Sequence, residues 1–298
     1  MNAIIKKATT VDEQIGILSG RGLVIEDIVF AKDKLLNIGY YRLGFYSFHF
    51  EINPNQSVRT HRYKAGSKFE SIIELYDFDN RLRHLLLFYL HKIEVNLRTR
   101  ITYDSSLYYK DDPCWFVNED IMRRKFVDSF DKLIYDNLRG HNSVISKHHV
   151  KHACSYAPAW KTLEFLTIGN VEMLYKSLKN DNLKRYISNS YGCSIRIFCN
   201  YIYVIRIIRN VCSHGNCIYN FNLPRGIRSG VATSGKSLSN NDFYNLNGVA
   251  YVILYFLGRI STDLSDSFIA EYNALFSTNK SHEVDLILRN TIKLFAIS

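Results

Sequence analysis

The sequence predicts an all-α fold, and three observations carry this prediction. Apolar residues recur at three- and four-residue steps over long stretches, which is the period of a helix that buries one face. The chain of 298 residues contains only 4 Pro and 15 Gly, so few positions break a helix. No long segment alternates apolar and polar residues with the period of a half-buried strand. Together these features favour helices packed on helices.

The helix boundaries follow from capping residues and helix breakers. Thr10 and Glu13 have the spacing of a capping box, which predicts that the first helix begins at Val11. Residues 68–103 contain no Gly or Pro and keep a helical period, so they should form the long central helix. In chain order, the predicted helices are 11–20, 24–38, 68–103, 119–138, three within 159–188 with a break at Gly169, 194–214, 242–260, 264–276 and 283–295.

The segments between these helices are predicted to differ in character. Residues 39–46 are rich in aromatic side chains, which should pack as core or as a brace between helices; the less favoured alternative is that they stack on bases. Residues 51–67 form a polar loop with four basic side chains, which fits either a β-hairpin or a basic arm. Residues 140–158 are expected to be a polar linker, and residues 221–241 a loop rich in Gly, Ser and Asn.

The linker contains His148, His149, His152 and Cys154, which are residue types that bind zinc. No second pair with the spacing of a zinc site completes this set. We therefore predict no metal site and no other cofactor.

Residues 230–237 match the phosphate-binding pattern G-x4-G-K-S. A phosphate-binding loop of this kind needs a hydrophobic strand before it and a helix after it. The preceding residues 222–229 contain Pro224 and two Arg and do not have the pattern of a buried strand. Nucleotide binding at this loop is thus the less favoured interpretation, and Lys236 is instead expected to contact RNA phosphate.

The predicted helix 194–214 carries an apolar face and, along another face, a polar stripe. Gly215 is a natural stop for this helix. Because desolvated charges are costly unless they are paired, the stripe should face a cleft, a partner or solvent. The stripe consists of Arg206, Arg209, Asn210, Ser213 and His214.

Within the stripe, residues 209–214 read Arg-Asn-Val-Cys-Ser-His, which places a His five residues after an Arg. This spacing alone is a weak signal, because chance supplies one in roughly a third of chains this long. Two interpretations remain open for it. Arg can neutralise phosphate charge and His can transfer protons near neutral pH, so the pair suits a site that acts on nucleic acid. Alternatively, the two side chains are only the solvated end of a helix.

The positive charge of the chain is concentrated around this motif. The net charge is +10, and residues 181–240 contain eight Lys and Arg against Asp181 alone. A local basic field is typical of a surface that binds a phosphate-rich ligand, and here it favours RNA over charge that serves only solubility. Besides Arg209, the candidate RNA-binding residues are Lys184, Arg185, Arg196, Arg206, Arg225, Arg228 and Lys236.

Four blocks of the sequence resemble the AbiD/AbiF family of bacterial abortive-infection proteins. They are residues 12–46, residues 78–101, residues 158–178 with their Pro-x-Trp and Leu-x-x-Gly elements, and the Arg-Asn-x-Cys-x-His segment. The family's last segment commonly reads Arg-Asn-x-Cys-Ala-His-His, so Ser213 and Gly215 depart from it. The segment is also similar to the R-(N/D/H)-x3-H signature of the HEPN superfamily.

The resemblance implies a HEPN-like helical bundle at residues 68–298, preceded by an N-terminal helical extension at residues 1–67. It implies an anti-phage protein that cleaves RNA without a metal, with Arg209, Asn210 and His214 as the catalytic residues. It also implies a homodimer and, as a possible partner, a small structured RNA. The alternative is an RNA-binding antiviral module that does not cut RNA.

Cysteine usage and hydropathy indicate the cellular compartment of the protein. The six Cys form no Cys-x-x-Cys pair, which is typical of reduced thiols in the cytoplasm. No apolar run approaches the roughly 20 residues that a membrane-spanning helix requires. We therefore expect a cytoplasmic protein without a membrane partner.

Overall fold

The computed structural model describes residues 7–55, 59–152, 154–278 and 280–292. Over these residues every regular element is a helix, and extended pairing is limited to isolated bridges. The all-α prediction is confirmed. In the same part of the chain, no helix is both long and apolar enough to cross a membrane.

The α-helices are numbered here in chain order. They are α1 (Val11–Gly20), α2 (Ile28–Ile38), α3 (Tyr40–Ser47), α4 (Phe69–Tyr108), α5 (Arg124–Phe130), α6 (Asp136–His141), α7 (Ser143–Lys151), α8 (Ala159–Thr162), α9 (Ile168–Ser177), α10 (Asp181–Ser190), α11 (Ile195–Ser213), α12 (Leu246–Ile260), α13 (Thr262–Ser277) and α14 (His282–Ile292). A π-helical turn, Asp131–Tyr135, joins α5 to α6. Residues 293–295 of the last predicted helix lie outside the described residues.

The capping box and the long central helix are confirmed. The Glu13 amide donates to Thr10 Oγ1 at 3.2 Å, and the Thr10 amide donates to Glu13 Oε2 at 2.7 Å. These two bonds satisfy donors that the first turn of a helix leaves unpaired, and α1 begins at Val11 as predicted. The central helix α4 contains 40 residues and extends past the predicted end at residue 103.

Helix α2 begins four residues later than predicted. Asp27 caps it, because its Oδ1 accepts a hydrogen bond from the Phe30 amide at 2.9 Å. The preceding Val24 is extended and forms a parallel bridge with Lys68. Its carbonyl accepts a hydrogen bond from the Phe69 amide at 2.9 Å. A backbone that pairs in this way cannot also make helical hydrogen bonds.

The predicted linker 140–158 was wrong, because residues 143–151 form α7. Asn142 Oδ1 accepts hydrogen bonds from the Val144 and Ile145 amides, which caps the helix, and Ile145 is fully buried. The helix is short and mostly polar, so its apolar period was too weak to predict it. Residue 153 lies outside the described residues.

Three further predictions differ from the observed helices. The helix predicted from residue 119 begins at Arg124, because Met122 forms an antiparallel bridge with Leu178. The predicted break at Gly169 falls inside α9, whose N-cap is Thr167. Helix α12, predicted from residue 242, begins at Leu246.

The aromatic segment and the polar loop near the N-terminus also differ in part from expectation. In α3, Tyr46 is buried, whereas Tyr41 and Phe45 are 82% and 51% exposed, so the segment is only partly core. Of the two alternatives for the loop, the described residues match a hairpin. Glu51 and Tyr63 form an antiparallel bridge. Residues 56–58 of the loop lie outside the described residues.

The chain packs as two compact units. Among the described residues, the first contains residues 7–84, Cys217–Asn220 and residues 274–292. The second contains Leu85–Asn216 and Phe221–Asn273. The boundary at 67/68 inferred from the sequence stays a prediction.

Aromatic side chains from four segments, namely α9, α11, α12 and the residue that follows α10, form part of the core of the second unit. The ring of Phe198 on α11 lies 5.0 Å from Tyr175 on α9 and 5.0 Å from Tyr191. Tyr191 in turn lies 5.6 Å from Phe256 on α12. Rings at these separations bury large apolar area and gain from edge-to-face contacts. Helix α11, which carries the motif, is therefore held rigidly along its apolar face.

Candidate functional site

Helix α11 presents the motif as the sequence predicts. Ser194 caps its first turn through a hydrogen bond from the Ile197 amide. His214 follows the last helical residue and Gly215 adopts φ 68°, a left-handed conformation that Gly reaches without strain. The predicted apolar face is confirmed, since all of its members are buried: Phe198, Tyr201, Ile202, Ile205, Ile208 and Cys212.

The polar stripe becomes more exposed toward the end of the helix. Arg206, Arg209 and Asn210 are half-buried, whereas Ser213 and His214 are exposed. The His214 amide donates to the Asn210 carbonyl at 3.0 Å, so the backbone at His214 is fixed by the last helical turn. The imidazole is thus carried by an ordered backbone and open to solvent.

Arg209 is held by a buried carboxylate from another helix. Its Nε donates to Oε2 of Glu94 on α4 at 3.1 Å, and its Nη1 donates to Asn210 Oδ1 at 3.4 Å. Glu94 is only 5% exposed, and its Oε1 lies 3.8 Å from Nη1 of Arg98. One buried carboxylate therefore contacts two guanidinium groups, which compensates its charge and fixes the orientation of Arg209.

Glu94 and Arg98 stand four residues apart, a spacing that favours an ion pair within one helix, whereas the contact of Glu94 with Arg209 was not predicted from the sequence. A signal for it did exist. Ile93 and Leu97 are on the apolar face of the central helix, and a Glu beside such a face must either find cations or lose its charge. The identity of the second cation depends on tertiary packing, which spacing along one helix cannot reveal.

Arg206 is engaged one turn earlier on the same stripe. It forms an ion pair with Glu172 of α9, which is 5% exposed and also pairs with Lys176. The Arg206 guanidinium also lies 5.3 Å from the ring centre of Tyr203, and that of Arg225 lies 4.1 Å from the same ring. The structure thus brings two of the predicted RNA-binding residues together at one aromatic side chain.

A model of a family described as "Abi-like protein" matches residues 33–220. The match covers more than half of the chain and includes the motif. The chain belongs to the Abi-like protein family. Membership supports a role in bacterial abortive infection. No curated protein and no solved structure matches the chain significantly.

The loop that follows the motif in this Abi-like protein is anchored on α11. The buried side chain of Asn200 accepts a hydrogen bond from the Arg228 amide at 2.7 Å and donates one to the Gly226 carbonyl at 3.1 Å. The Arg225 and Arg228 side chains that extend from this anchored backbone are exposed. Two cations of the basic cluster are therefore held in place and accessible to a ligand.

The other predicted RNA-binding residues have different surroundings. Lys184 is buried, and its Nζ lies 2.6 Å from Asp181 Oδ1. Arg185 is exposed and donates to Asn182, and Arg196 is exposed near the start of α11. Lys236 lies 5.1 Å from the ring centre of Tyr251.

The G-x4-G-K-S segment does not have the geometry of a phosphate-binding loop. The Thr233 and Ser234 amides both donate to the Gly230 carbonyl, at 2.9 and 2.8 Å. These N–H groups close a turn on themselves, whereas a phosphate-binding loop directs them at the ligand. The chain before Gly230 is irregular and not a strand.

The His and Cys side chains of α7 and the residues after it are engaged in hydrogen bonds. His149 Nε2 lies 2.8 Å from the Tyr135 hydroxyl, and its Nδ1 lies 3.0 Å from the Cys154 carbonyl. Cys154 Sγ lies 3.4 Å from His148 Nε2. Nowhere in the described part of the chain do three His, Cys, Asp or Glu side chains converge as metal ligands would.

A second buried carboxylate, which sequence reasoning also missed, fixes the segment that begins three residues after His214. Asp79 of α4 is fully buried, and its Oδ1 accepts hydrogen bonds from the Ile218 and Tyr219 amides at 2.9 and 2.8 Å. Its Oδ2 accepts one from the Tyr46 hydroxyl at 2.8 Å and pairs with Arg83. The backbone of residues 218–219 is therefore held within the first unit by a side chain that has all of its acceptors satisfied.

Proposed function

We propose that this Abi-like protein is a metal-independent endoribonuclease of the AbiD/AbiF type, with a HEPN-like site at the end of α11. In abortive infection, cleavage of RNA would arrest the infected cell. The observation that carries the proposal is the arrangement of the motif. Arg209 is oriented by Glu94 and Asn210, and His214 is exposed on the adjoining turn.

The proposed chemistry uses the 2′-hydroxyl of the RNA as the nucleophile. A base removes its proton, the oxygen attacks the adjacent phosphorus, the bond to the 5′ oxygen breaks, and an acid protonates that oxygen. The products are a 2′,3′-cyclic phosphate and a 5′-hydroxyl, and no co-reactant is required. An imidazole suits either proton transfer near neutral pH, which is the role proposed for His214.

Arg209 is proposed to stabilise the charge that develops on the non-bridging phosphate oxygens. A guanidinium has five N–H donors, and the contacts with Glu94 and Asn210 use two of them. The remaining donors suit a phosphate, and the buried ion pair orients them before the substrate arrives. Asn210 lies four residues before His214 on the same helix face, from which it can orient the imidazole or the phosphate.

A single copy of the motif has difficulty placing both side chains on one phosphate. In an α-helix, residues five positions apart are separated by about 140° around the axis. A second copy of the chain would bring its own Arg209 and His214, so that Arg209 of one copy and His214 of the other can act on the same phosphate. We therefore propose that the active species is a homodimer.

The alternative function is RNA binding without cleavage. Two observations favour it: Glu94 engages the Arg209 guanidinium, and Gly215 occupies the position at which related sequences carry a second His. A single imidazole beside a partly neutralised Arg can hold RNA without supplying both an acid and a base. A small structured RNA is the ligand proposed for such a module, and it is equally a candidate regulator of the enzyme.

Incubation of the purified protein with total RNA and with an end-labelled RNA, in buffer with and without EDTA, tests the proposal. The wild type is expected to cut RNA equally well in both buffers and to leave 2′,3′-cyclic phosphate ends. His214→Ala should lose at least about a hundredfold in rate, the low end of what acid–base catalysis contributes. The matched control is His91→Ala, which removes an exposed imidazole of α4 outside the motif. Cleavage that EDTA abolishes, or that His214→Ala leaves unchanged, would contradict the assignment.

A further inference from the structure

The first unit contains a cavity that the proposed nuclease chemistry does not use. Its volume is about 340 Å³, and it is lined by side chains of α1 to α3, by Glu51, by side chains within residues 59–63 and by the start of α4. Small-molecule sites in proteins have volumes of roughly 300–1,000 Å³, so the cavity is large enough to hold a ligand. Its walls combine aromatic rings with cationic side chains, and neither group belongs to the motif.

One part of the lining is an ionic cluster around a buried carboxylate. Glu51 is 3% exposed and is bound by Arg59 through two bonds, Nη2 to Oε1 at 2.7 Å and Nε to Oε2 at 3.2 Å. His61 Nδ1 lies 3.4 Å from the same Oε1. Both carboxylate oxygens are thereby used, so Glu51 positions Arg59 and His61 at the cavity. The guanidinium retains donors that these two bonds do not use.

The backbone at His61 departs from ordinary geometry. Its φ is 55°, in the left-handed region that is unfavourable for a residue with a Cβ. Strain of this kind persists where the surroundings hold it, and it concentrates at ligand-binding positions. At His61 the strained backbone places the imidazole against Glu51 at the cavity wall.

A second guanidinium and several aromatic rings also line the cavity. Arg21 Nη1 donates to the Tyr40 hydroxyl at 3.1 Å, which fixes the guanidinium at the cavity. Tyr41 and Phe45 also line the cavity, and their ring centres are 5.3 Å apart in an edge-to-face pair. They are 82% and 51% exposed, which is unusual for two adjacent large rings and leaves their faces open for stacking.

We propose that this cavity binds a nucleotide, with the base against the Tyr41 and Phe45 rings and the phosphate at Arg21 and Arg59. A planar base gains from stacking on aromatic side chains whatever its identity. The phosphate carries negative charge, and the cavity supplies two guanidinium groups against the single carboxylate of Glu51. A purely apolar ligand would desolvate the remaining N–H donors of these two guanidinium groups without offering them an acceptor, which is unfavourable.

The nucleotide has two possible sources, a free mononucleotide and the terminal nucleotide of an RNA. The first arm of the test is calorimetric titration of the full chain with AMP, GMP, CMP and UMP. At least one is expected to bind with a Kd in the micromolar range. Arg21→Gln and Tyr41→Ala should each weaken binding by about tenfold. Arg62→Gln is the matched control, because Arg62 is exposed in the same unit and does not line the cavity. It should bind within about twofold of the wild type.

The second arm uses RNA octamers that carry a phosphate or a hydroxyl at the 5′ or the 3′ end, with His214→Ala protein so that the RNA stays intact. Mononucleotide binding that falls in Arg21→Gln assigns the cavity to free nucleotides. Octamer binding that depends on a terminal phosphate and falls in Arg21→Gln, without mononucleotide binding, assigns it to an RNA end. Absence of both, or binding that Arg21→Gln and Tyr41→Ala leave unchanged, overturns the proposal. Neither arm measures cleavage, so failure here is separate from failure of the nuclease assignment.

Discussion

Arg209 takes its orientation from a carboxylate 115 residues earlier in the chain. The sequence placed Arg209, Asn210 and His214 on the end of one helix, because periodicity and the stop at Gly215 decide that locally. It could not predict Glu94 as the partner of Arg209, since that contact forms only when α4 packs against α11. The sequence therefore predicts which side chains share one face of a helix, but not which side chains of another helix they contact.

Removal of the buried charge tests this contact. Glu94→Gln keeps the shape of the side chain but leaves Arg98 and Arg209 without their shared anion. Because Arg209 is partly exposed, we expect a loss of about 2 kcal/mol in the free energy of unfolding, as for charge-assisted hydrogen bonds. The control is Glu164→Gln. Glu164 also pairs with Arg98, but its side chain is 56% exposed, so that loss should stay below about 1 kcal/mol. Urea denaturation at pH 7 measures the free energy of unfolding of both variants. Equal losses would contradict the view that Glu94 holds Arg209 more strongly than an exposed ion pair would.

At the scale of elements, the helices with the clearest apolar period are the ones whose bounds were predicted most accurately. The helices α4 and α11 have long apolar faces, and both were predicted close to their observed bounds. The errors fall where one polar side chain decides a boundary, as Asn142 does for α7 and Thr167 does for α9. The hydrogen bond of a capping side chain competes with other local hydrogen bonds. The tertiary surroundings therefore decide which of them forms and where the helix begins.

The start of α12 offers an element-scale prediction with a defined pH dependence. Asp242 is 1% exposed, and burial alone would raise the pKa of its carboxyl. Hydrogen bonds from Ser239, Asn245 and Asn247 outweigh burial and lower this pKa to about 2. Because the folded pKa is below the unfolded value, the carboxylate stabilises the fold above pH 4, and this stabilisation is lost as the pH falls toward 2.

The expected contribution at pH 7 is about 2 kcal/mol, from a shift of nearly two pKa units. Asp242→Asn should therefore be destabilised by about that amount at pH 7, and the difference from the wild type should fall to about half at pH 3. Chemical denaturation at the two pH values measures this. An equal difference at both pH values would mean that the folded state does not stabilise the ionised form of Asp242.

At the scale of the whole molecule, the basic cluster predicts how RNA affinity responds to salt. Each Lys or Arg that binds a phosphate releases counterions, so affinity should fall steeply as salt rises. Changing Arg225, Arg228 and Lys236 together to Ala should weaken RNA binding and reduce the salt slope by up to about one for each lost contact. Its matched control replaces Arg123, Arg124 and Lys125, which are exposed and carry the same charge outside the cluster.

Binding of a structured RNA at several salt concentrations separates these variants. His214→Ala should bind like the wild type, since one neutral imidazole adds little to the field of eight cations in residues 181–240. If the control triple variant loses as much affinity and slope as the loop variant, the contacts depend on total charge and the loop is not the binding surface.

The homodimer leads to the sharpest whole-molecule prediction, because composite sites obey a simple pairing rule. In a two-fold dimer each site is equivalent, and in the proposed enzyme each would take Arg209 from one copy and His214 from the other. A heterodimer of Arg209→Ala and His214→Ala then has one site with both side chains intact and should retain about half of the wild-type cleavage rate. A heterodimer of the wild type and the double variant has no intact composite site and should be inactive. Co-expression with two affinity tags, followed by tandem purification, isolates each heterodimer for the RNA assay. If each copy instead carries a complete site, the two results are reversed: the pair of single variants is inactive and the pair with the double variant keeps half of the rate.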